Sequence, residues 1–341
     1  MRFLTQIAVL IFALTLPVLA QNMDHGYYAK IVTRGSAWTL RVNDIHIREN
    51  VKVGYGNSTG NIGWAVKPGL NSLSLLFSPL TGKNPTTGEY EQSLHEGVSF
   101  EVTIERLDYK TRESLEVNAL HISYNEDKGK FVSHPKTSFG QERKMRYPQI
   151  WSDGKYTVSA DQTESLVPVN GQTLDAYRLD VEFFVEDDQL WPQHWKSEAV
   201  PLEDTPEMRR ELWGAYQELH WLFQSGNIEE FFRRMEPIWA RAAHVYTMDV
   251  KSAREFVEDF KFGLNSYKPV REDGKILQPL RLKSDLQNAA VQLYANNRLA
   301  WIRPVPILWR HPDTREPSAV PVVFYKTATG EWKIADINVG L

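Results

Sequence analysis

Histidine, tryptophan and arginine are the side chains whose spacing in this chain bears on chemistry. His220 stands between Trp213 and Trp221 in a segment of helical period, and Trp239, His244 and Tyr246 fall at the end of the next such segment. Tyr294, Trp301 and Trp309 follow in stretches of alternating period. If these helices close over a curved sheet, Trp213, His220, Trp239, Tyr294 and Trp301 converge on an aromatic hollow. His220 would then act as the polar anchor or general base of a small-molecule pocket. The plainer outcome is a hollow filled by its own aromatics, with His220 hydrogen-bonded inside the core. It is favoured because no carboxylate stands three or four residues from His220 to orient the imidazole; those positions hold Tyr216, Gln217, Phe223 and Gln224.

A second group lies in Asp187 to Trp195, where two acids, Trp191, His194 and Trp195 crowd into a connecting segment. Exposed indoles beside carboxylates make sugar-stacking surfaces, because one ring face is apolar and the acids accept hydroxyl bonds. Connecting segments also bury tryptophans to fix the parts they join, which is the commoner use. Glu186 to Asp188 are adjacent acids without the alternate spacing of a calcium loop, so no metal site is assigned. Arg209-Arg210, Arg233-Arg234 and Arg241 fall on polar helix faces. Trp191 and Trp195 with Arg209 and Arg210 form the candidate protein-docking patch, since binding hot spots are enriched in Trp, Tyr and Arg. No Gly-rich phosphate loop, His-Glu-x-x-His pair, Gly-x-Ser-x-Gly elbow or EF-hand loop occurs. Catalytic residues stay unassigned, and no cofactor is implied.

The elements that must hold these residues change period along the chain. Trp38, Leu40 and Val42 alternate with Thr39, Arg41 and Asn43, and the same period of two runs through 73–77, 98–104 and 176–183. Turn-rich stretches separate these runs, which predicts an antiparallel β-sandwich over residues 21–190. From Thr205-Pro206, an N-cap followed by proline at the first helical position, the period becomes helical. Leu212, Tyr216, Leu219 and Phe223 form one stripe ending at Gly226, and Asn227 caps a second helix. A third helix is predicted over roughly 249–264, with strands from about 277 to the end. The prolines at 192, 201 and 206 put a linker at 191–205 and an α+β domain at 206–341.

The stretch 38–44, followed by Val66-Lys67-Pro68-Gly69-Leu70-Asn71-Ser72-Leu73, resembles the galactose-binding-like and related jelly-roll domains over residues 30–110, departing at Asp44 where glycine is usual. Helices followed by strands, ending in Gly330-Glu331-Trp332-Lys333-Ile334, are similar to the NTF2-like cone over 205–337, although the third helix precedes all the strands here. Both resemblances imply fold more than activity, because such scaffolds host many functions.

Met1-Arg2, the mostly apolar run from Leu4 to Leu16, and Val18-Leu19-Ala20 before Gln21 read as a cleaved signal peptide, Met1–Ala20, with the remainder exported to the periplasm and no membrane span after cleavage. A formal charge of −4 with interspersed signs leaves no basic footprint for nucleic acid. The absence of cysteine excludes disulfides and thiolate chemistry, so an exported fold must rest on a large core. Eleven Trp, 14 Tyr and 15 Phe supply the area for it. The function expected by elimination is a non-catalytic binding or interaction protein of the bacterial envelope with a protein partner or a glycan: an immunity protein, or a carbohydrate or envelope-assembly factor. The alternative is a periplasmic enzyme acting on cell-wall glycan from a C-terminal cavity.

Overall fold

Alternation in the N-terminal half produces two antiparallel five-stranded sheets. A computed structural model describes residues 24–50, 56–134, 156–169, 172–186, 190, 193–245, 269–270, 274–280, 290–303, 305–313 and 317–337. The leader at 1–20 and the third predicted helix lie outside the described residues. The strands are β1 (His25–Arg34), β2 (Ser36–Val42), β3 (Ile45–Asn50), β4 (Gly56–Asn61), β5 (Gly69–Pro79), the small pair β6 (Gly82–Lys83) and β7 (Tyr90–Glu91), β8 (Ser99–Asp108), β9 (Ser114–Asn125), β10 (Lys130–Ser133), β11 (Tyr156–Val169) and β12 (Gln172–Val185). One sheet runs β10-β9-β8-β1-β4 and the other β11-β12-β5-β2-β3. Their inner residues meet in one core, with Phe77 of one sheet 4.6 Å from Phe100 of the other, ring centre to ring centre.

Asn43 and Asp44 turn the β2–β3 hairpin with φ of 50° and 61°. Two positive φ values suit the right-handed twist of a tight hairpin, and Asn and Asp tolerate them, so glycine is dispensable at Asp44. Asn43 also donates to Ala65 O (2.9 Å) and to Asn71 Oδ1 (2.8 Å), which ties this hairpin to the turn before β5 and to the start of β5 itself.

The C-terminal half opens with α1 (Pro206–Ser225) and α2 (Ile228–Val245). The Thr205 side chain accepts from Met208 N, Gly226 takes the left-handed C-cap at φ 65°, and Asn227 Oδ1 accepts from Glu230 N. There follow β13 (Ile276–Leu277), β14 (Ala290–Tyr294), β15 (Leu299–Arg303), β16 (Leu308–Arg310), β17 (Pro317–Ala319), β18 (Val322–Lys326) and β19 (Trp332–Ile337). They make an antiparallel sheet β14-β15-β18-β19 and a smaller one β13-β16-β17. The chain is therefore a mixed, mostly β protein, and no described helix is long and apolar enough to cross a membrane.

The sheet β14-β15-β18-β19 is buried on both faces. Ala300, Ile302, Phe324 and Ile334 pack toward the helices, whereas Tyr294, Leu299, Trp301 and Tyr325 belong to the sandwich core. Period-two geometry enforces this split, since successive strand residues point to opposite faces.

Candidate functional site

That split decides the fate of the predicted aromatic hollow. Trp213, His220 and Trp239 are buried between the helices and the sheets. His220 Nε2 bonds the Gln278 carbonyl at 2.7 Å, the arrangement of a satisfied core histidine. The space is filled: Phe223 lies 5.0 Å from Phe231 and 4.9 Å from Trp309, and Trp239 contacts both Phe231 and Phe232. Trp301 and Tyr294 do not converge with them. They face the sandwich, where Trp301 stands 5.0 Å from His46 and donates to Gln292 Oε1 at 2.8 Å. The expectation of one five-residue aromatic site is thus corrected, because alternation along β15 sends Trp301 to the other face.

The expected docking patch is also not assembled by the described residues. Trp195 is 4% exposed inside the sandwich core, while Trp191 lies outside the described residues. Arg209 is held by Asp204 at 2.6 Å and Arg210 by Glu207 at 2.5 Å. The proline-rich junction uses its described indole to anchor, which is the structural role a connecting tryptophan commonly has.

A groove of about 700 Å³ opens instead between α1, α2 and the β18–β19 hairpin, with the 3-10 turn His194–Ser197 and Glu198 on one side. Its apolar lining comes from Ala215 and Leu219 of α1, Pro237 of α2, and Phe324 and Ile334 of the hairpin. Gly214 lines it too, and a Cβ added there would meet only open space. Glycine inside a helix costs roughly 0.5–1 kcal/mol relative to alanine; here the missing side chain deepens the groove.

The rim is a closed set of ion pairs. Lys333 binds Glu198 at 2.9 Å and approaches Glu331 at 3.9 Å. Glu211 pairs with Lys326 and accepts from Trp332 Nε1 at 3.3 Å. Arg234 bridges Glu218 at 2.5 Å and Glu230 at 2.8 Å, and Arg233 shares Glu230 at 2.6 Å. The hydrogen bond from Lys333 holds the Glu198 carboxyl below its ordinary range, and that from Lys326 does the same for Glu211. Arg233 and Arg234 bring Glu230 down to about 2. Burial pushes His194 toward its neutral form and raises the Tyr325 hydroxyl, whose proton is donated to Glu198. At neutral pH Glu198, Glu211 and Glu230 are therefore charged and paired, and the lining holds no Ser, Thr or Cys.

The chain matches no protein-family model, no curated protein and no solved structure. The groove thus rests on its own geometry. Sequence reasoning missed Glu198, Glu211, Tyr325 and Trp332 because ion pairs between a helix and a distant hairpin leave no spacing pattern. The available signal was Gly214 inside an otherwise strong helical stripe.

A second polar cluster sits between the halves. Glu49 of β3 accepts from Arg303 of β15, and His46 Nε2 lies 3.5 Å from the other Glu49 oxygen. Arg41 bonds Asp44 at 3.2 Å and lies over the Tyr294 ring. Arg41, His46 and Arg303 are buried, Glu49 is nearly so and Asp44 is partly exposed, and together they serve as a polar joint between the sandwich and the C-terminal sheet. Among the described residues no group of three or more His, Asp or Glu is arranged to hold a metal ion.

Proposed function

We propose that this chain is an exported, non-catalytic binding protein of the bacterial envelope and that the groove beside the last hairpin is its binding site. The observation that carries the reading is a concave surface with an apolar lining and a rim of carboxylates already engaged in ion pairs. Such a site has an apolar centre and a polar edge, the distribution of a recognition surface. Export to the periplasm is supported by the Met1–Ala20 leader. In this reading the chain has two domains, a jelly-roll-type sandwich over 21–190 and an NTF2-like α+β unit over 206–341. The core shared across 191–205 supports a rigid joint between them. An immunity protein and a carbohydrate or envelope-assembly factor remain the two concrete forms of this role.

The test places a photo-crosslinking amino acid at position 218 on the rim of the full-length protein in living cells, with and without Gly214→Trp to fill the groove. The expected result is an adduct with a periplasmic component that Gly214→Trp removes while the melting temperature is kept. An adduct indifferent to Gly214→Trp, or turnover of peptidoglycan fragments by the purified protein, overturns the reading, the latter in favour of an enzyme.

A further inference from the structure

Every charged side chain lining the groove is in an ion pair, Lys333 being shared by Glu198 and Glu331, so no cation is left over for an anionic ligand. A charged ligand would have to compete with one of these existing pairs for its partner. Hydroxyl groups face no such competition. A carboxylate has about four lone-pair sites, so one already bound to Lys or Arg still accepts from a hydroxyl. Glu198 and Glu218 keep 46% and 57% of their side-chain surface exposed for this.

The aromatic component is held in position. The Trp332 indole, partly buried against the helix-side core, is pinned through Nε1 to Glu211, with the Lys326 ammonium 5.9 Å from its ring centre, and it lines the groove. A half-buried indole flanked by acids is the usual partner of the apolar face of a pyranose ring. An extended peptide is disfavoured for a separate reason. β19 is the edge strand of its sheet, but His194 Nε2 already bonds the Ile334 carbonyl at 3.2 Å, and the ladder is broken between Ile334 and Asp336 by a bulge at Ala335. Both features blunt an edge against strand addition.

From these three observations we propose that the ligand of the groove is a neutral oligosaccharide, seated against Trp332 with its hydroxyls bonded to the paired charges of the rim. The proposal rests on the groove being the binding site. It is tested by calorimetric titration of the full exported chain with cellohexaose, maltohexaose and chitohexaose, and with oligogalacturonate as the anionic comparison. At least one neutral hexaose should bind, with affinity reduced about tenfold or more by Trp332→Ala, a loss of about 1.4 kcal/mol. Gly214→Trp should abolish binding. Affinity should hold when salt is raised from roughly 0.1 to 1 M, because no net charge is neutralised. Preference for the anionic oligomer, or binding unchanged in both variants, overturns the proposal. If none of the three hexaoses binds while the position-218 crosslink persists and is blocked by Gly214→Trp, the groove reading stands and the glycan falls. If that crosslink is also lost, both fall.

Discussion

Replacing Glu49 with glutamine probes the joint between the two halves with the least change of shape. Glu49 and Arg303 are 11% and 8% exposed, and Arg303 also lies over the Trp301 ring, 4.6 Å from its centre. Burial opposes ionisation of Glu49, yet the approach of His46 and the charge of Arg303 outweigh it and bring the carboxyl to about 2. The native pair is therefore fully charged at neutral pH, and Glu49→Gln leaves a buried guanidinium facing an amide. Removing one partner of a buried pair costs about 3–5 kcal/mol. Because the amide oxygen still accepts one N–H, the lower end applies, about 3 kcal/mol, or roughly 6–12 °C in melting temperature for a cooperative unit of this size. Glu49→Leu with Arg303→Met removes both charges and should recover most of that loss, since apolar replacements of buried pairs are often neutral. Urea denaturation of Glu49→Leu, Arg303→Met and their double variant, followed by tryptophan fluorescence and circular dichroism, completes the double-mutant cycle. A single-mutant effect under about 0.5 kcal/mol, or a double mutant as unstable as the sum of the singles, refutes the pairing.

Trp195→Ala should destabilise by about 3–5 kcal/mol in thermal melts, because the ring is 4% exposed within the sandwich core; a neutral effect would return it to the surface. Gly214→Ala should stabilise by roughly 0.5–1 kcal/mol, since the added methyl meets open space, and a loss of stability would contradict that. Burial lowers His46 and His194 from the ordinary value of 6.5, so the unfolded chain binds more protons below that pH. The stability these histidines contribute is complete above pH 6.5 and is lost as pH falls through that value toward their folded values. Melting temperatures measured across this window should fall with acidification, and a flat profile would show that the two rings are not buried neutral.

Periodicity made the elements legible. Trp38, Leu40 and Val42 all lie in the sandwich core, as their alternation requires. Thr205, Gly226 and Asn227 bounded the helices because a cap is a local hydrogen bond between near neighbours, which spacing alone encodes. The placement of Trp301 was not legible. Alternation says that Trp301 and Ile302 face opposite ways, but not which face meets the helices when both faces of the sheet are buried. The groove was illegible for a related reason. Lys326–Glu211 and Lys333–Glu198 join residues more than a hundred positions apart, and no short window contains both partners.

The groove's position has a structural cause at the junction. Trp195 is fixed in the sandwich core, so the residues around it have little freedom: His194 beside it bonds Ile334, and Glu198 three positions later holds Lys333 and Tyr325. On the opposite side Gln193 donates to the Trp64 carbonyl at 2.9 Å, and Arg241 reaches both Trp64 and Asp336. Burial works against ionisation of Asp336 and raises it, so Arg241 is the group that keeps this carboxylate tolerable inside the protein. One wall of the groove is thus built from the segment that clamps the sandwich to the last strand. Loosening the clamp would displace Glu198 and His194 together, so the integrity of the joint and the shape of the groove are a single physical property of the chain.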